Sequence, residues 1–159
     1  MENIDRHHAC AFTGHRPERL SIPEAAVIAW LNKEIRSAVE VGFTQFISGM
    51  QRGVDIWAAE SILILRDEGK TVRLIAASAF CGMENQWDKK WQVRYNRILT
   101  SADEVHYISD HPGRRAFFDR NNWMVDRASR LLAVYTGAPG GTRETIRYAE
   151  AQGLQIIRM

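Results

Sequence analysis

The chain has 159 residues, 45% of them apolar and 25% charged, and its 21 basic side chains nearly balance 19 acidic ones, for a formal charge of +2. Such a length supports one compact domain, residues 1–159, whose core needs neither metal nor disulfide, and the composition excludes disordered, collagen-like and coiled-coil chains. The charge is too small to coat a polyanion, so nucleic acid is not an expected partner, although 17 of the 21 basic residues are Arg, whose planar fork suits phosphate.

The amino terminus, MENIDRHHAC, carries charges and no apolar run, and no later stretch approaches the roughly 18 apolar residues of a membrane span. No membrane association is expected, and the chain reads as cytoplasmic. Cys10 and Cys81 stand in no CxxC pattern and read as reduced thiols. The first apolar run, Ala9 to Thr13, closes at Gly14 and predicts a buried strand opening into His15-Arg16-Pro17. From Pro23, Ile28, Leu31, Ile35 and Ala38 recur at helical spacing up to Gly42. A strand over Phe43 to Ser48 leads through Gly49-Met50-Gln51-Arg52-Gly53 into a helix with Val54, Ala58, Ile62 and Leu65 on one face, stopped by Gly69.

The same alternation predicts a strand at Thr71 to Ala77, a helix at Glu84 to Leu99, a strand at Glu104 to Ile108 and a helix at Phe117 to Arg127. A strand at Arg130 to Tyr135, a helix at Thr142 to Gln152 and a strand at Leu154 to Arg158 complete the chain. Short apolar strands separated by amphipathic helices predict an α/β fold: a doubly wound, mostly parallel, Rossmann-like sheet of about six strands with helices on both faces.

Ligands of such sheets bind beyond the carboxyl ends of the strands, which directs attention to three loops. Gly14, His15 and Arg16 follow the first strand; Ser48, Gly49, Gly53 and Asp55 surround the second loop; Gly140, Gly141 and Thr142 open the last helix. Glycines between a strand and a helix amino terminus leave backbone N–H groups free for an anion, and phosphate is the expected one, although glycine also serves ordinary turns. Neither cluster is a GxGxxG or a P-loop. Arg16 would meet phosphate, Asp55 a ribose hydroxyl or only its own helix dipole, and Arg120, Asn121 and Asp126 form a polar group on the fourth helix. The histidines show no metal-ligand spacing, so no metal is expected. Trp57, Trp87, Trp91 and Trp123 read as core aromatics, one of which could stack on a base.

With these residues in view, the sequence resembles the YpsA-like branch of the SLOG superfamily, which includes the Lonely Guy phosphoribohydrolases and the DNA-processing protein DprA. The resemblance is carried by Phe12-Thr13-Gly14-His15-Arg16-Pro17, Ser48-Gly49 with Gly53 to Glu60, and Arg94 to Leu99 with Ala102-Asp103. It continues through Arg120-Asn121 with Met124-Val125-Asp126 and Gly140-Gly141-Thr142 with Tyr148-Ala149. It implies a nucleotide-binding Rossmann-like domain and a nucleotide or ADP-ribose-like ligand with no further cofactor required, and it fixes no activity; a regulatory or sensor module is the first function expected. A homo-oligomer fits the same analogy.

The hydrolases of the superfamily carry PGGxGTxxE, whose glutamate works on the glycosidic bond. Here Pro139-Gly140-Gly141 runs straight into Thr142-Arg143-Glu144, and the third residue past Thr142 is Thr145. Cleavage of an N-glycosidic bond in a nucleoside phosphate or ADP-ribose derivative is therefore the alternative function, with Glu60, Glu144 or Asp126 as candidate acids.

Overall fold

In the computed structural model, which describes residues 2–159, the apolar runs become six strands: β1 (Ala9–Gly14), β2 (Gln45–Ser48), β3 (Arg73–Ser78), β4 (Glu104–Tyr107), β5 (Arg130–Val134) and β6 (Gln155–Arg158). Between them lie α1 (Glu24–Glu40), α2 (Val54–Asp67), α3 (Lys89–Ser101), α4 (Arg114–Asp126) and α5 (Gly141–Ala151). Every strand pair is parallel, in the order β4-β3-β2-β1-β5-β6. The fold is α/β and Rossmann-like, with an all-parallel sheet.

The two-residue period of the strands sorts the core into two layers. In β1, Cys10 and Phe12 pack with Leu31 and Ile35 of α1, Ile56 and Ile62 of α2, and Trp91 and Tyr95 of α3. Ala9 and Ala11 face the other way, into a layer with Met124 and Val125 of α4 and Ile146 and Ala149 of α5. Three helices thus cover one face and two the other. The chain runs outward from β1 through β2 and β3 to β4, then returns over the opposite face to β5, beside β1. The strand order reverses between β1 and β5, and a crevice opens beyond their carboxyl ends.

Two boundaries differ from the sequence reading by three residues or more, and both bear on that crevice. The helix expected from Glu84 begins only at Lys89, because residues 81–86 form successive turns, with Gly82 at φ +87°, and Trp87 and Asp88 bend the chain into the head of α3. The helix expected from Phe117 begins at Arg114, directly after Gly113 at φ +130°, so its first turn adds an arginine at the sheet's carboxyl edge. Among the described residues, no helix is long and apolar enough to cross a membrane.

Candidate functional site

A cleft of about 540 Å³ occupies the crevice. Thr13, Gly14, His15 and Arg16 enter it from β1 and the following loop, Asp55 from the first turn of α2, Arg120 and Asn121 from α4, and Gly140 to Thr142 from the head of α5. Strands that end together at the switch point bring these segments together, although they lie up to about 130 residues apart.

The cleft floor is a buried ionic arrangement around Gly49. Asp55 and Arg120 are 8% and 5% exposed, and a Cβ placed on Gly49 would stand 2.9 Å from Asp55 Oδ2 and 3.0 Å from Arg120 Nε. Arg120 donates through Nη1 to the Gly49 carbonyl and through Nε to Asn121 Oδ1 at 2.9 Å, while the Gln51 amide donates to Asp55 Oδ2 at 3.2 Å. The chain reaches this geometry through Met50, a fully buried residue at φ +64°, a region that non-glycine residues rarely adopt. Ser48 anchors the loop, its Oγ donating to the Asp55 carbonyl at 2.8 Å and accepting from the Met50 amide at 3.2 Å.

Burial pushes the Asp55 carboxyl up to about 6, against the opposing effects of the Arg120 cation and the Gln51 amide. The acid is thus harder to ionise folded than unfolded, so the native state holds the extra proton between about pH 4 and 6. Its contribution is fully present below the unfolded value and is lost as pH rises through the folded one, on the order of 3 kcal/mol. Asp55→Asn should remove that dependence: urea unfolding at pH 4 and pH 7 is expected to show the variant gaining on wild type at the higher pH. A constant difference between the two proteins would mean that Asp55 titrates normally.

Above this floor the cleft is cationic. Arg16, Arg19, Arg114 and Arg120 line it, against Asp55 and Glu144. Arg19 donates to the Pro139 carbonyl at 3.0 Å, whereas Arg16 and Arg114 form no ion pair among the described residues and stand exposed at the mouth. His15 is 3% exposed and rests against Tyr135, ring centroids 5.7 Å apart. Burial first, and the Arg19 cation second, hold its imidazole below the usual value, so the ring is neutral at pH 7, with Nε2 lacking a hydrogen-bond partner.

The amino terminus of α5 closes one wall. Its first intrahelical bond runs from the Glu144 amide to the Gly140 carbonyl, so the amides of Gly141, Thr142 and Arg143 face out of the helix end. No side chain caps them, and Thr142 is buried in the first turn. The glycines differ in kind. Gly140 turns at φ +141° and meets Arg19 Nη1 at 3.1 Å from a built Cβ, whereas Gly141 has an ordinary φ and nothing within 4 Å. The fold itself makes no demand for glycine at 141.

Of the residues singled out in the sequence, Gly14, His15, Arg16, Asp55, Arg120, Asn121, Gly140, Gly141 and Thr142 line the cleft. Ser48, Gly49 and Gly53 lie beneath or beside it, Gly53 at φ +93° against Pro17, and shape the loop without lining the cleft. Asp126 sits at the opposite end of α4, where it accepts a 2.7 Å hydrogen bond from the Tyr148 hydroxyl. Glu60 is held away by Arg94 at 3.0 and 2.6 Å on the α2–α3 surface. Arg19, Arg114, Phe117 and Phe118, none of which the sequence singles out as a site residue, also line the cleft; the excess of arginine over lysine is the available signal for the first two. No cluster able to hold a metal ion exists among the described residues.

Comparison with known proteins places this geometry in context. A family model described as the YspA SLOG family matches residues 10–155. A UPF0398 protein of Bacillus pumilus (strain SAFR-032) is 29% identical over 133 residues, covering 79% of this chain and 72% of the relative. The chain also resembles two solved structures of DNA processing protein A. One, from Helicobacter pylori and described for its single-stranded DNA binding mode, has a TM-score of 0.67 at 17% identity, covering 94% of this chain and 64% of that one. The other, from Streptococcus pneumoniae, has a TM-score of 0.66 at 15% identity, covering 94% of this chain and 49% of that one. At such identities the likeness shows the shared fold.

Proposed function

The chain belongs to the YpsA-like SLOG family, and from that premise we propose that it is a nucleotide-binding module whose cleft holds the phosphates of a nucleotide or ADP-ribose-type ligand against the head of α5. The observation that carries this reading is Gly141: outward-facing amides, no capping side chain, and open space where a Cβ would stand, opposite a set of arginines. Phosphate approaches backbone amides closely only where no side chain intervenes. The helix dipole and the guanidinium forks of Arg16, Arg19 and Arg114 act in the same direction. Phe117 and Phe118 offer faces on which a base stacks, and the Asp55 carboxylate accepts from a ribose hydroxyl.

The test separates fold from ligand on one residue. Gly141→Ala is expected to leave thermal stability unchanged or slightly raised, since Ala is the better helix former by about 1 kcal/mol. Gly141→Val should keep the fold and lose the ligand, read as a fall of tenfold or more, about 1.4 kcal/mol, in calorimetric affinity for ADP. Unchanged affinity in a folded Val variant would overturn the phosphate assignment.

A hydrolytic reading has one observation in its favour. Glu144 opens on the cleft from the first turn of α5, held only loosely by Arg147 at 3.5 Å. Chromatography for free base after incubation with nucleoside monophosphates, NAD and ADP-ribose distinguishes the two readings. Free base that disappears in Glu144→Gln supports cleavage; its absence from wild type leaves a binding module.

A further inference from the structure

Of the five histidines, His15 alone is buried, and it lines the cleft. His8 and His106 each meet a carboxylate, Asp5 at 2.7 Å and Glu104 at 2.9 Å. His15 has no such partner: its Nε2 is buried and unpaired among the described residues, an unfavourable state for a polar atom in a closed site.

The backbone holds this residue in place from both sides. Gly14 packs against Val54 with no room for a Cβ, and a Cβ on Gly53 would stand 3.4 Å from the His15 carbonyl. The ring rests on Tyr135, the residue after β5, and the chain runs on from there through Pro139 to the free amides of α5. Arg19, whose charge reaches the imidazole, donates to the Pro139 carbonyl and lies 3.1 Å from a Cβ built on Gly140. His15 and Arg19 therefore share the side of the cleft that ends at the head of α5.

In the free protein, burial and the Arg19 cation both oppose a second proton on the ring. The other charges lining the cleft are Arg16 from the same loop, Asp55 from α2, Arg114 and Arg120 from α4, and Glu144 from α5, and the Tyr135 hydroxyl is the further titratable group against the ring. A phosphate reverses the balance. Its charge offsets Arg19, and its oxygens accept from an imidazolium N–H, a bond that the same burial strengthens. Asp55 responds in the opposite sense, since accepting from a ribose hydroxyl favours its ionised form, and with a value of about 6 it is largely ionised at neutral pH already.

We propose that a bound phosphate draws a proton onto His15, so that filling the cleft and taking up a proton are coupled and the ligand is held more tightly as pH falls through neutrality. The proposal rests on the nucleotide reading of the cleft and adds to it a regulation by pH. Binding that raises the proton affinity of the ring takes up a proton between the free and bound midpoints; the gain is full below the free midpoint and is lost as pH rises through the bound one.

The ring resonances of His15, assigned on the labelled wild-type chain and followed through a pH titration with and without saturating ADP, test it. The free ring is expected to titrate below about 6.5 and the ring in the complex at least about one unit higher, equivalent to roughly tenfold in affinity. Calorimetry in buffers of different ionisation enthalpy gives a second readout. At neutral pH wild type should take up more protons with ADP than His15→Gln, by roughly half a proton or more, the titration of ADP itself being common to both. A His15 midpoint unmoved by saturating ADP, or equal uptake by the two proteins, overturns the proposal and leaves the cleft reading intact; should the variant fail to fold, the wild-type titration decides. Failure of wild type to bind ADP overturns both.

Discussion

Gly14→Ala is expected to cost on the order of 3 kcal/mol of stability, the upper part of the range for overpacking a rigid core. A Cβ at position 14 would lie 2.3 Å from Val54 Cγ2 and 2.7 Å from Val54 Cβ. Neither partner can retreat. Gly14 ends β1 in register with Val134, and Val54, 1% exposed, is the first residue of α2. The close approach of β1 to the head of α2 brings Asp55 into the cleft, so the same residue fixes both packing and site. For a chain of this size the loss corresponds to a fall in Tm of roughly 6–12 °C. Val54→Ala in the same chain removes the worst contact and should restore part of it; a Gly14→Ala variant as stable as wild type would contradict this packing account.

The second large effect is expected at Arg120. Arg120→Met removes the cation facing Asp55 and the donor to the Gly49 carbonyl, leaving the buried Asp55 carboxylate with the Gln51 amide and no cation. Removing a buried cation that offsets a nearby buried acid, together with a buried donor to a carbonyl, costs on the order of 3 kcal/mol. The penalty has a defined pH dependence. Without Arg120 the Asp55 carboxyl moves further up, so the acid is neutral at low pH and the variant suffers least there. As pH rises above the unfolded value near 4, the native state must give up a proton that it holds tightly, and the loss grows. Asp55→Asn added to Arg120→Met should recover much of the stability at pH 7, in urea unfolding, and little at pH 4. A loss independent of pH would assign the role of Arg120 to its bond with the Gly49 carbonyl alone.

These two residues also show what could be read from the sequence. The alternation of strands and helices was legible because buried parallel strands are short apolar runs and their covering helices keep a 3.6-residue period. The loops were legible as well, since the carboxyl edge of such a sheet is where ligands bind. What the glycines are for was not. Gly14 and Gly49 leave no room for a Cβ because Val54, Asp55 and Arg120 crowd them, whereas Gly141 faces open space, and the one-letter pattern is the same in all three cases. Tertiary approach distances are absent from a sequence.

The approach of Arg120 to Asp55 is hidden for the same reason, because α4 reaches the switch point only by recrossing the sheet from β4. Asp126 is a different case. It stands six residues beyond Arg120, about 9 Å along the helix and on a different face, so helical geometry alone separates it from the Arg120–Asn121 pair. The sequence pattern starts α4 at Phe117, three residues late, and so leaves Arg114 outside the helix whose first turn carries it to the cleft.

Backbone amide resonances provide the most direct test of the central claim that phosphate sits on the head of α5. Proton–nitrogen correlation spectra of the labelled chain should show the Gly141 and Thr142 amides moving strongly when ADP is added, and moving little with adenosine, which lacks the phosphates. Their signals staying in place while ADP binds elsewhere, or an equal response to adenosine, would contradict the account.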